Sequence, residues 1–170
     1  MAINFSTTVN NNAIQKYAGI FCQIKTGTEV GQAHYSADTW SDGPEVDITP
    51  SDNSNKILII GNISISEGAG DVHAALYRDN SLISGALGSS VGNATRSTAG
   101  CSVGRNAWDC QTTPIFYLDN PGTTSSVNYK IKAICTNGTF ALNHHQHGNQ
   151  NIDNDNSHIS YITAIEVEAS

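Results

Sequence analysis

Positive charge is scarce in this chain of 170 residues, where eight Lys and Arg stand against fifteen Asp and Glu and the formal net charge is −7 at pH 7. A surface without a cationic field does not gather phosphates or anionic headgroups, so no nucleic acid and no membrane is expected among its partners. Long apolar runs are missing as well, and no window approaches the ~20 residues that a bilayer-spanning helix requires. The leading Met1-Ala-Ile-Asn-Phe-Ser-Thr-Thr-Val9 has neither a basic n-region nor an apolar h-region, so Sec-type export is not expected. Heptads and Gly-X-Y triplets are absent, which excludes a coiled-coil or collagen-like shaft. GxSxG, HExxH and a Gly-rich phosphate loop behind a strand are absent too, and the chain reads as a non-enzyme. Cysteine is limited to Cys22, Cys101, Cys110 and Cys135, with no CxxC zinc motif among them. Cys22 and Cys135 lie in strand-like runs and read as small buried residues. Cys101 and Cys110 close a short segment, where a disulfide requires an oxidising compartment and a geometry that spacing alone does not supply.

What remains is rich in Gly, Ser, Thr and Asn, with 14% of residues charged, a composition that suits a loop-rich β-protein better than long helices. In Lys56 to Ser66, residues Ile57, Ile59, Gly61, Ile63 and Ile65 share one face, opposite Leu58, Ile60, Asn62 and Ser64. Asp71 to Arg78 turns through Asp79-Asn80 into Ser81 to Ser84, the pattern of a hairpin. Pro114 to Asp119, Ser126 to Cys135 and His158 to Glu168 complete the stronger strands. In the last of these, Ile159, Tyr161, Thr163, Ile165 and Val167 oppose Ser160, Ile162, Ala164 and Glu166. Roughly seven to nine short strands spaced about 8 to 15 residues apart predict an all-β, antiparallel, jelly-roll-like sandwich. The sandwich is expected over residues 41–170, behind an N-terminal arm of residues 1–40 that contributes a weak strand near Gly19 to Lys25.

In order along the chain stand Val46-Asp-Ile-Thr-Pro-Ser51, Lys56-Ile-Leu-Ile59, Ala75-Leu-Tyr-Arg-Asp79, Leu118-Asp-Asn-Pro-Gly122, Val127-Asn-Tyr-Lys-Ile131, Asn143 and Ile162-Thr-Ala-Ile-Glu-Val167. This succession resembles the β-sandwich modules of tailed-bacteriophage virions, both at fibre ends and in short particle proteins. The resemblance implies a homotrimeric jelly roll similar to the tumour-necrosis-factor-like trimers, anchored to capsid or tail proteins by its N-terminal arm and sited on the virion surface. Without a shaft, a capsid decoration or head-fibre role fits better than a tail-fibre tip. A glycan-binding, receptor-recognition module is the alternative. Leu58, Ile60, Ile134 and Ile162 are apolar on faces where a lone sandwich places polar groups, and they are the expected trimer contacts. The competing reading is that both faces are covered within one chain.

Three further segments carry candidate chemistry. Arg96, Arg105, Trp108 and Asp109 lie in the long connection from Gly85 to Thr112, where an aromatic face beside a guanidinium and a carboxylate suits a sugar. The plainer reading of Trp108 is a cap on the end of the core. His145 and His147 point the same way on an extended chain, so three copies around a threefold axis would present six imidazoles to one divalent metal ion; the plainer reading is a solvated polar loop with no cofactor. Asp153 to Ser157 offers alternate oxygens but lacks the glycine and closing glutamate of a calcium loop.

Overall fold

The computed structural model describes residues 21–67, 71–101, 110–136, 138–144 and 157–169. Its strands are β1 (Phe21–Glu29), β2 (Ala33–Ser36), β3 (Ser41–Ile48), β4 (Lys56–Glu67), β5 (Asp71–Arg78), β6 (Ser81–Leu82), β7 (Ala99–Cys101), β8 (Gln111–Asp119), β9 (Val127–Thr136), β10 (Thr139–Leu142) and β11 (Ser160–Val167). A single 3₁₀ turn at Ser84–Ala86 is the one helical element among the described residues. Four nested antiparallel pairs organise the chain: β5 with β6, β4 with β8, β3 with β9 and β1 with β11. They form one long two-stranded ribbon that wraps on itself. Numbered one to eight along the chain, its strands lie in the order 1-8-3-6 in one sheet and 2-7-4-5 in the other. This is the jelly roll that the strand pattern predicts. β10 and β2 extend the first sheet beyond the end of β11, and β7 extends the second. Since β1 and β2 are members of the first sheet, the segment before residue 41 is part of the sandwich from Phe21 onward.

Alternation builds the core. The inner faces of the sheets contribute Ile57, Ile59, Ile63 and Ile65 from β4, Leu76 from β5, Ile115 from β8, Tyr129 and Ile131 from β9, and Ile162 from β11, each at most 1% exposed. Burying each aliphatic side chain is worth about 1.5–3 kcal/mol. Gly61 interrupts the isoleucine row because a Cβ there would stand 2.7 Å from the Tyr161 carbonyl oxygen and 2.9 Å from Ile131 Cδ1. Asp79 and Asn80, with φ of 48° and 62°, make the tight turn between β5 and β6, the left-handed pair that matches hairpin twist.

Two polar clusters fasten the ends of the sandwich. Glu166 on β11 is fully buried, and its carboxylate accepts from Ser51 N, Ser51 Oγ, Asn55 Nδ2 and Gln23 Nε2, each at 2.7 Å. Burial opposes its charge, but these neutral donors outweigh that cost and hold the carboxyl at about 2, below the ordinary glutamate value. At the other end Asn143, in the left-handed region at φ 62°, donates through Nδ2 to the carbonyls of Glu29 and Gly31 and accepts from Ser160 Oγ at 2.7 Å. Its backbone N–H reaches Ser64 O and its carbonyl accepts from His158 N–H, both at 2.9 Å. The chain therefore leaves the sheet at Asn143 and returns at His158 through a closed neck.

Candidate functional site

The outward face of β1, β11, β4 and β8 carries the most distinctive surface of the molecule. Antiparallel register sets its side chains in three rows across the strands: Ile24, Ile165, Leu58, Leu118; then Thr26, Thr163, Ile60, Phe116; then Thr28, Tyr161, Asn62, Pro114. No charged residue stands in these rows. Phe116 is 66% exposed, Ile24 61%, Leu118 49% and Tyr161 36%, while Leu58, Ile60 and Ile165 are half-buried by their neighbours. Polar members of the face are partly engaged already: Thr26 and Thr163 share a 3.0 Å hydrogen bond, and Asn62 Oδ1 accepts from Tyr161 N–H. A contiguous apolar face of this kind marks a contact surface in soluble proteins. Its local cause is the run Ile57-Leu58-Ile59-Ile60, which places aliphatic groups on both sides of β4, as in strands covered on two faces.

The outward face of the other sheet has the opposite character. Lys130 Nζ pairs with Asp42 Oδ2 at 2.7 Å and Glu45 Oε2 at 2.8 Å, and Lys132 Nζ pairs with Asp42 Oδ1 at 2.8 Å. Partial burial works against the Asp42 charge, but the two lysines outweigh it and hold the carboxyl below its ordinary value. Lys132 also lies 5.0 Å above the Tyr77 ring, against which Trp40 packs edge-on at 5.8 Å. Four charges of this face are thus paired within the chain, in contrast to the apolar rows of the first sheet.

No family model matches this chain, and no curated protein matches it in sequence. In fold it is similar to Eiger TNF from S. frugiperda, at 13% identity over 89% of this chain and 95% of that one, with a TM-score of 0.46. It is also similar to VP2 in the subviral particle of infectious bursal disease virus, at 12% identity and a TM-score of 0.39. That match covers 87% of this chain and 38% of the VP2 chain. At these identities the likeness concerns the β-sandwich alone.

The structure sorts the residues that the sequence proposes. Leu58 and Ile60 lie on the apolar outer face as expected, and Ile24, Phe116, Leu118, Tyr161 and Ile165 join them. Ile162 does not: it points into the core at 0% exposure, because the inward face of β11 is the one that also carries the hydrogen-bonded Ser160 and Glu166. Ile134 sits on β9 in the other sheet and is already covered within the chain, at 9% exposure. Arg96 is exposed, and its Nε donates to Gly88 O at 2.9 Å, bracing its own loop. Cys110 is a free thiol 3.3 Å from Ser64 Oγ rather than half of a bridge, and the Cys101 side chain lies outside the described residues. Cys22 is exposed, contrary to expectation, since it falls at the register shift between Phe21 and Gln23 where β1 departs from β11. Arg105, Trp108, Asp109, His145 and His147 lie outside the described residues. Among the described residues no three His, Cys, Asp or Glu side chains gather as a metal site.

Proposed function

We propose that this protein is a structural component of a tailed-bacteriophage particle, a homotrimer displayed on the virion surface as a capsid decoration or head-fibre protein. One observation carries the reading: three uncharged rows on one sheet face with Phe116 and Ile24 both more than half exposed, opposite a second face where Lys130 and Lys132 pair with Asp42 and Glu45 within the chain. The most exposed groups sit on the outer strands β8 and β1, and the half-buried ones on β4 and β11 between them. That arrangement suits a head-to-tail contact, in which the β8 edge of one copy packs on the face of the next and a ring closes. Phe116 is the natural anchor of such a contact. Each aliphatic or aromatic side chain so covered contributes about 1.5–3 kcal/mol before the costs of association. The sequence resemblance favours three copies and a phage particle, with the residues before β1 as the attachment to capsid or tail proteins. The role is mechanical and multivalent, many modest contacts adding up over a shell.

Sedimentation equilibrium at micromolar concentration is expected to show a single species of three times the chain mass, and Phe116→Lys is expected to yield folded monomers. A stable, well-folded single chain at that concentration would remove the proposal. For placement, mass spectrometry and immunogold labelling of purified particles should find the protein on the capsid. Particles lacking it should rupture more readily with host attachment unchanged; lost attachment with unchanged rupture would instead support a tail-fibre tip or glycan-recognition role.

A further inference from the structure

A cavity of about 370 Å³ opens where the β5–β6 hairpin and the Ser84–Ala86 turn stand over the last residues of β8. Its size lies at the lower end of small-molecule sites, roughly 300–1,000 Å³. Asp119 closes its base. That carboxylate is 5% exposed, and its Oδ2 accepts from the Tyr129 hydroxyl at 2.6 Å and from Arg78 Nη1 at 2.7 Å. Burial and the bond to Asp119 push the Tyr129 phenol far above its ordinary value, so it stays a donor. Arg78 Nη1 also reaches the Asn120 carbonyl at 3.3 Å. Both of these hydrogen bonds leave from one nitrogen, and among the described residues no acceptor is bonded to Nε or Nη2, while the side chain is 35% exposed in the cavity wall. Tyr117 lines the same cavity, and its hydroxyl has no hydrogen bond among the described residues. It lies so close to Gly85 that a Cβ there would stand 2.5 Å from it.

The geometry points to a binding site for a small sugar acid, its carboxylate on the free edge of Arg78 and its hydroxyls toward Tyr117, Ser81 and Ser84. A guanidinium presents a planar fork that matches a carboxylate with two parallel bonds. Asp119 acts as the positioning residue, holding one nitrogen so that the other edge faces the cavity. Among the described residues no second cation lines the cavity, which suits a singly charged carboxylate and not a phosphate dianion. The half-buried Tyr117 ring supplies an apolar wall for a sugar face. The site lies within one chain, so it does not rest on the trimer proposed above.

NMR titration of the full chain with glucuronic acid, glucose and acetate tests the site. Glucuronate is expected to shift the amides of residues 78–85 and 117–120, with glucose and acetate each at least about tenfold weaker, the worth of one charge-assisted bond. Arg78→Lys keeps a cation beside Asp119 but loses the fork, and should weaken glucuronate by about tenfold or more with the fold intact by circular dichroism. Gly85→Ala, which leaves the Arg78–Asp119 pair untouched, should weaken it too by displacing the Tyr117 hydroxyl. An oligouronide binding more tightly than the monosaccharide would identify an acidic polysaccharide as the source, and equal binding a free sugar. No shift with glucuronate, equal response to glucose or to acetate, or unchanged binding by Arg78→Lys would overturn the assignment, whatever the oligomeric state.

Discussion

Glu166 shows how far a single residue can depart from its usual habit. A carboxylate at 0% exposure is costly unless its charge is answered, and here the answer is hydrogen bonds from Ser51, Asn55 and Gln23 without a cation. The cluster joins β1, the β3–β4 turn and β11, and Asn55 Oδ1 further accepts from Ala169 N–H at 3.1 Å. With the folded carboxyl at about 2 against an ordinary 4.5, folding favours the ionised form. Its stabilisation is therefore fully present above the ordinary value and is lost as pH falls from there toward the folded value. Calorimetry should show the melting temperature falling through that window. Glu166→Gln should flatten this fall and cost about 1.5–3 kcal/mol at neutral pH, because the glutamine amide confronts donors with a donor. An equally steep acid loss in the variant would show that other carboxylates control it.

At the scale of the strand, what separates the two faces of the first sheet is one residue of register. Ile60→Asn changes the outer face and should leave the chain folded while weakening self-association by sedimentation. Ile162→Ala opens a void in the core and should cost about 2–5 kcal/mol of unfolding free energy by denaturant titration. Equal effects of the two on assembly and stability would mean that the faces are not distinct. The strands β4, β9 and β11 are legible in the chain because they are rich in Ile, Val and Thr and their faces alternate with period two, and β5 because Asp79-Asn80 marks its hairpin turn. β3 was only half legible: its first residues, Ser41-Asp-Gly-Pro44, look like a turn, and they pair with β9 only through a register shift between Asp42 and Glu45. β1 and β2 carry Lys25, Gly27, Thr28 and His34, and long-range pairing with β11 and β10 makes them strands, not local preference. For the contact surface, Leu58 and Ile60 stand out against a plainly apolar partner face. Phe116 and Leu118 do not, because Ile115 and Tyr117, which alternate with them, are equally hydrophobic and hide which side is which. The cavity at Arg78 has no local signature at all, since Arg78, Gly85 and Asp119 meet only when the ribbon wraps.

For the molecule as a whole, the division of labour between its faces predicts how it responds to solvent. Ion pairs on one side are internal to the chain, and the three central rows of the other side offer no charge to a neighbour, Lys56 standing at their margin. Association through the uncharged face should therefore change little between low ionic strength and about 0.5 M salt, where exposed charge pairs are screened. It should also make the melting temperature rise with protein concentration. Strong dissociation by salt in sedimentation would move the interface to the charged sheet. Asn143 and His158 carry a different consequence. Because an N–H to carbonyl bond of 2.9 Å joins Asn143 to His158, the two ends of the connection between them are held together at the sheet. Foreign peptides spliced into residues 145–156 would begin and finish side by side, adding little closure entropy and leaving the sheets undisturbed. The protein is in this respect a ready scaffold for epitope display.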